Sequence, residues 1–293
     1  RTGEDKEVIP KISVKYNLSD TSMAYVLYSE GKRPGGVNRS RGEPYYPNAY
    51  EPDLMENTEL GYKSSFADGR GRFNMIGYRM TWTSYQLEQV DPSQTPCDAA
   101  GNPVPPGDPT AVSSVSTAGV CGQPWQNIVA NTGNAHIHGA NFELDYRVSD
   151  QFSFGMNYEW MEAETDEDVT GVVESGLQLP LVPESKGALW ADYVWETDMM
   201  GANFGVLRLQ YSNQGSIFNN LDGGHPDESP NPRFRVPGYG IADLRLGLQS
   251  DDWEVSFFIN NLTDERAAYT YGSGQFLWGM ASSKDNVDHH RLS

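Results

Sequence analysis

The chain has 293 residues, enough for one large all-β unit or two average domains. Its 40 acidic against 21 basic side chains leave a net charge of −19, which argues against nucleic acid or anionic lipid as a partner bound by charge. No run approaches the roughly eighteen apolar residues of a membrane helix, but a β-strand crosses a bilayer with about ten residues of which only alternate ones are apolar.

Taken in chain order, alternation predicts strands near 12–18, 23–31, 56–67, 70–89, 135–148, 151–165, 186–197, 203–214, 237–250 and 253–270, and no useful helical period occurs. The clearest case is "FELDYRVSDQFSFGMNYEW" at 142–160. Phe142, Leu144 and Tyr146 share one parity, as do Phe152, Phe154, Met156, Tyr158 and Trp160 after the turn. The same split sets Leu60 and Tyr62 against Glu59 and Lys63. It also sets Ile76, Tyr78, Met80 and Trp82 against Arg79, and Leu244, Leu246 and Leu248 against Asp243 and Arg245. On this reading the apolar parity faces lipid. Arg79, Glu143, Asp145, Arg147, Arg208, Asp243 and Arg245 then face a lumen, where they pair with a plug or hold water.

The connections sharpen the picture. Short turns at 18–22, 67–71, 148–151, 196–202 and 250–253 alternate with long loops at 32–55, 90–134, 166–185 and 215–236. A meander sends alternate connections to opposite ends, so all short turns lie at one end and all long loops at the other. Outer-membrane barrels have that asymmetry, whereas a Greek-key sandwich has no reason for it. The reading is therefore an all-β, transmembrane, antiparallel up-and-down barrel segment of about ten strands. By parity the first and last strands both meet the long-loop side at their outer ends. The chain is thus expected to be part of a larger barrel, with strands before residue 1 and at least one after residue 293. It opens "RTGEDKEVIPKIS", without an initiating Met or signal peptide, so an exported protein would have its beginning upstream.

Cys97 and Cys121 are the two cysteines, both in one Pro/Gly/Ser-rich stretch. A disulfide between them would constrain the unfolded chain by about 3 kcal/mol and implies an oxidising compartment. "GKRPGGVN" at 31–38 lacks the Lys-[Ser/Thr] ending of a phosphate loop, so its glycines are expected to supply positive φ at a rim turn. His136 and His138 share the outward parity of Phe142. A His-x-His pair can bind metal, but no third ligand is evident nearby, and rim structure is the plainer expectation. The acidic run from Glu159 to Asp168 does not have the spacing of an EF-hand and reads as a solvated loop. Tyr45, Tyr46, Tyr50 and Trp125 lie in the two longest loops, where aromatics give stacking and hydrogen-bonding surface; these are the candidate ligand-binding residues. No Gly-x-Ser-x-Gly elbow or His-Glu-x-x-His motif is present, so no enzyme activity is expected, and no cofactor.

Several stretches resemble the C-terminal half of a TonB-dependent outer-membrane receptor. "YVLYSEGKRPGGVNRS" (25–40) resembles the family's strand-then-loop segment, with Lys32 where an aromatic is common. "ENTELGYKSSFADGRGRFNMIGYRMTW" (56–82) resembles its Glu-x-Gly-x-Lys strand, Asp-Gly-Arg turn and aromatic-rich strand. "VPGYGIADLRLGLQSDDWEVSFFINNLTDERAAY" (236–269) resembles the penultimate hairpin, with Ala267 in place of the final aromatic. The resemblance implies a 22-stranded barrel with an N-terminal plug, of which residues 1–293 form strands 12 to 21, in the outer membrane of a Gram-negative bacterium. It also implies coupling to TonB, ExbB and ExbD, contact with lipid and lipopolysaccharide, and import of a ferric siderophore, a cobalamin, a glycan or another small organic molecule. The alternatives are a passive porin, which needs no TonB, and a barrel protease. For the protease, His136 and His138 have the wrong parity.

Overall fold

The computed structural model describes residues 8–38, 49–90, 98, 100, 110, 127–168, 174–219, 221, 233–272 and 288–291. Ten strands form one sheet: β1 (Lys11–Ser19), β2 (Ser22–Arg33), β3 (Asp53–Phe66), β4 (Gly71–Thr83), β5 (Ala135–Arg147), β6 (Phe152–Thr165), β7 (Ser185–Glu196), β8 (Phe204–Gln214), β9 (Tyr239–Gln249) and β10 (Glu254–Ile259). Each pairs antiparallel with its neighbour in the chain, in strict sequential order. Short turns and long loops alternate as the sequence predicts, and two-stranded ribbons such as 86–90 with 127–131 extend from the long-loop end.

The register sorts the side chains into two faces. Tyr146, Leu144 and Phe142 sit opposite Phe154, Met156 and Tyr158. Leu189 opposes Met156 on one side and Tyr211 on the other, and Leu209 opposes Leu244. This apolar face is uncovered: Leu60 is 63% exposed and Phe257 60%. A monomer in water does not leave so large a continuous apolar surface bare. Near the short-turn end it carries an aromatic row, with Phe66 stacked on Tyr146 (5.6 Å), Tyr146 edge-on to Phe154 (5.9 Å) and Tyr193 stacked on Trp195 (5.9 Å). Tyr158 and Trp160 lie six and eight residues beyond Phe152, which packs beside Phe154 at this end (6.3 Å), about 20–26 Å along the strand at the usual rise per residue. Two aromatic belts bounding a band of that height are the outer wall of a membrane barrel.

Glycines on the opposite, polar face receive aromatic rings from the next strand. A Cβ at Gly155 would lie 2.3 Å from the Trp190 ring, and one at Gly61 would lie 2.0 Å from Tyr25. Gly155→Val should therefore expel Trp190 from its place across the β6–β7 pair, at a cost of about 1–3 kcal/mol. The expected readout is a red-shifted tryptophan emission and a lower unfolding midpoint, and an unchanged midpoint would contradict the contact.

Three parts of the sequence reading need correction. The stretch 70–89 is not one strand: β4 ends at Thr83, Ser84 takes a φ of 55°, and the chain turns into the separate 86–90 ribbon. The stretch 253–270 is likewise cut at Ile259. Asn261 (φ 54°) and Asp264 (φ 52°) adopt the left-handed conformation that Asn and Asp tolerate best, and Asn261 bonds Glu265 through both ends of its amide. Gly35 and Gly36 do not have positive φ. They provide room instead, since a Cβ at Gly35 would lie 2.5 Å from the Tyr50 carbonyl oxygen and one at Gly36 would lie 2.2 Å from the Tyr50 hydroxyl.

Candidate functional site

The polar face is built row by row. Asn141, Glu159, Lys186, Gln214 and Tyr239 form one cross-strand row over β5–β9. Asp145, Gly155, Trp190, Gln210 and Asp243 form another. Arg147, Ser153, Asp192, Arg208, Arg245 and Phe258 form a third, which reaches β10. Three surface depressions, of about 490, 610 and 670 Å³, are lined mainly by residues of this face, so the sheet curves toward it. It is the concave, lumen side.

Six of the seven lumen residues expected from the sequence, Glu143, Asp145, Arg147, Arg208, Asp243 and Arg245, share this face. Arg79 does not. It stands opposite His138 and Thr58, on the face of Phe142 and Leu60, near the long-loop end. Conversely Ile76, Tyr78, Met80 and Trp82 are on the lumen side, opposite Asn141, Gly139, Ile137 and Ala135. Both parities of β4 carry apolar residues, so alternation alone could not orient it; pairing with β5 does.

Most lumen charges have partners. Lys186 Nζ lies 2.8 Å from Glu159 Oε2, and the Tyr78 hydroxyl donates to Glu159 Oε1 at 3.1 Å. Asn74 donates to Glu143 at 2.8 Å. Arg208 Nε is 3.7 Å from Asp192 Oδ1. Arg245 bonds Glu254 at 2.5 Å and Ser256 at 3.0 Å, and Asp243 accepts the Asn261 backbone N–H at 2.9 Å. The depression around Glu143, Glu159 and Lys186 offers both signs of charge and several neutral hydrogen-bonding groups. Such a wall can hold ordered water, a packed polar domain or a polar solute.

At the long-loop end the lumen face changes character. Trp82 and Ile137 pack with Tyr85, Ala130, Ala135, Ala163, Leu179 and Leu221 into a small apolar core made largely from the loops. Beside it Asp53, only 2% exposed, forms a hub. It pairs with Arg33, accepts Trp82 Nε1–H at 3.0 Å and accepts the Gln86 backbone N–H at 3.2 Å. The Arg33 guanidinium lies 4.9 Å from the centre of the Trp82 ring and donates to the Gln86 carbonyl at 3.0 Å. Gln86 in turn donates to the carbonyls of Glu51 and Pro34. Burial pushes the Tyr85 hydroxyl above the usual phenol range, with Arg33 partly offsetting it. In the 215–238 loop, Arg233 stacks 3.5 Å over Phe218 and donates to the Gln178 carbonyl at 3.1 Å; burial lowers its pKa. The loops are thus tied to one another and to the rim of the wall.

Of the loop aromatics proposed for ligand contact, Tyr50 lies over Gly36 in the 36–37 with 49–50 ribbon, packed within its own loop. Tyr45, Tyr46 and Trp125 lie outside the described residues, as do Cys97 and Cys121. Sequence reading missed the Arg33–Asp53–Trp82 hub, because its members come from three strands and only the fold brings them together. It also missed Glu162 as a neighbour of His138. That pairing was open to counting, since the short 148–151 turn fixes the β5–β6 register and sets the two directly opposite.

The fold is shared with solved outer-membrane proteins. The ferric yersiniabactin uptake receptor FyuA from Yersinia pestis is similar over 92% of this chain and 34% of its own, at 19% identity and a TM-score of 0.65. The copper transporter OprC gives 96% and 37% at 12% identity and a TM-score of 0.63. The ferric preacinetobactin receptor BauA from Acinetobacter baumannii gives 97% and 35% at 16% identity and a TM-score of 0.58. At these identities the likeness concerns fold, and the chain spans about a third of the length of those proteins. No curated protein sequence matches significantly. The model of the TonB dependent receptor-like β-barrel matches residues 1–262. With its bare apolar outer wall and paired polar lumen wall, the chain belongs to the TonB-dependent receptor-like β-barrel family.

Proposed function

We propose that this chain supplies ten consecutive strands of a larger outer-membrane receptor, the C-terminal part of its barrel, which captures a scarce extracellular ligand and imports it with energy from TonB, ExbB and ExbD. The family match over residues 1–262 carries this reading. The short coverage of the similar receptors supports a longer protein, in which a plug from the rest of the receptor closes the lumen against the charges of β5–β9. The long loops are then extracellular and the short turns periplasmic, as in outer-membrane barrels generally. The tied loop bases around Asp53 hold the capture loops at the mouth. Siderophore-bound iron is the leading ligand class, because FyuA and BauA are receptors for ferric siderophores; copper follows from OprC. The protein acts as a transporter and not an enzyme.

The test is uptake. Cells expressing the full receptor should accumulate a labelled ferric siderophore from a panel, and the accumulation should vanish when TonB is deleted or the proton gradient collapsed. Equal uptake without TonB would instead identify a passive diffusion channel.

A further inference from the structure

On the outer face, beyond Trp160 toward the long-loop end, a cluster serves neither the lumen nor the lipid band. We infer that His136, His138 and Glu162 form a binding site for a late first-row divalent cation of the Zn²⁺ class, with Asp166 as the carboxylate that positions His136. The inference does not depend on which ligand the receptor imports.

The geometry begins with strand parity. His136 and His138 are two residues apart on β5, so both point outward, and their rings stack at 5.6 Å with planes 10° apart. Glu162 is the direct cross-strand partner of His138 on β6, with its Oε2 3.8 Å from His138 Nε2. One ligand atom from each of the three residues falls within a set spanning no more than 4.8 Å. Ligand atoms around a tetrahedral Zn²⁺ stand about 3.3 Å apart, given bonds of about 2.0–2.1 Å. The three therefore need to close by roughly 1 Å or a little more, which side-chain torsions supply while the ladder holds the backbone.

A second observation also points to a metal. Asp166 Oδ1 lies 2.5 Å from His136 Nδ1, and a carboxylate behind an imidazole is the usual device that fixes the tautomer and orientation of a metal-ligating histidine. Asp166 is itself held by the backbone bond from its N–H to the Asn134 carbonyl at 2.9 Å. All three proposed ligands are partly exposed, so an ion can enter and water can complete its coordination. Of the nearest charged neighbours on this face, Glu164, the cross-strand partner of His136 on β6, is negative and Arg79, the partner of His138 on β4, is positive. Two imidazoles with one carboxylate suit Zn²⁺ or Cu²⁺ rather than Ca²⁺ or Mg²⁺, which take oxygen ligands. The site faces away from the lumen, so its ion is not cargo. It would clamp the tops of β5 and β6 and, through Asp166, the start of the acidic loop.

The experiment uses the full receptor in detergent, stripped of metal and dialysed against buffered Zn²⁺, with bound metal measured by mass spectrometry. Wild type should bind one equivalent more than His138→Ala, and Asp166→Asn should weaken that equivalent by about 10–100-fold. Retention of heat-modifiable gel mobility shows that each variant is folded. Cu²⁺ substituted at the site should give a paramagnetic resonance spectrum with two nitrogen couplings in wild type, and that signal should be absent from His138→Ala. Equal Zn²⁺ binding by folded wild type and His138→Ala, or a wild-type Cu²⁺ spectrum without nitrogen couplings, would overturn the site.

Discussion

Leu209→Arg should destabilise the folded barrel in lipid by about 2–4 kcal/mol, while Gln210→Arg, one residue along the same strand, should change it by less than about 1 kcal/mol. Both positions lie at the middle of β8, and they differ in the face they occupy. Leu209 sits between Ala191 and Leu244 on the bare apolar wall, 47% exposed where only hydrocarbon can cover it. A guanidinium there must leave water, with no partner in reach, at the depth where neither aqueous boundary is close enough for easy snorkelling. Gln210 sits between Trp190 and Asp243 on the lumen wall, so an arginine there keeps water and gains a carboxylate neighbour. The check is reversible urea unfolding of the receptor in phospholipid bilayers, followed by tryptophan emission. A larger loss at Gln210 than at Leu209 would show that the faces are assigned the wrong way round, and equal losses would show that the sheet does not line a membrane barrel.

That contrast also shows what the sequence made legible. The approximate strand positions, the order of turns and loops, and the two faces of β5 and β6 follow from alternation, because over 142–147 and 152–160 one parity is apolar and the other mostly polar. The arithmetic fails on β4. Phe73 and Met75 face outward, yet Ile76, Tyr78, Met80 and Trp82 face inward, so apolar residues occupy both parities. The physical reason is that the lumen face near the long-loop end is not wet. There Trp82 supports a core built from loop residues as distant as Ala130, Leu179 and Leu221. A strand with apolar residues on both faces has no polar parity to read, and Arg79 on its outer face was given to the lumen for that reason. The glycines of 31–38 were misread in a related way. A glycine serving close approach and one serving positive φ look alike in sequence, and the decisive neighbour, Tyr50, comes from the far side of the loop. Glu162 was a different case: the information was present in the hairpin register and lay only one count away from His138.

The second large effect belongs to Asp53. Asp53→Ala should loosen the long-loop end and cost about 2–5 kcal/mol locally, reckoned at about 1–3 kcal/mol for each buried donor left without an acceptor. Four donor groups lose it: the Arg33 guanidinium, the Arg33 backbone N–H, Trp82 Nε1 and the Gln86 backbone N–H. Arg33, about half exposed, can turn to water, and its loss is small. Trp82 cannot turn without leaving the core that Tyr85 and Ala135 form with it, and the Gln86 N–H is fixed by the 86–90 ribbon. Those two account for most of the cost. Because Gln86 also grips the Glu51 and Pro34 carbonyls, the disturbance spreads into both neighbouring loops and leaves the lower parts of the ten strands intact. The expected signature is therefore split. Proteolysis and amide exchange should rise within 49–52 and 84–90, capture of the imported ligand should weaken, and the urea midpoint of the barrel should move little. Asp53→Asn should fall between the two, since one amide oxygen can still accept from Trp82 or Gln86 but no longer balances Arg33. Unchanged exchange in both segments would show that the apolar core alone holds the loops and that the hub is incidental. A fall in the global midpoint as large as that of Leu209→Arg would show instead that the loop bases and the membrane wall unfold as one unit.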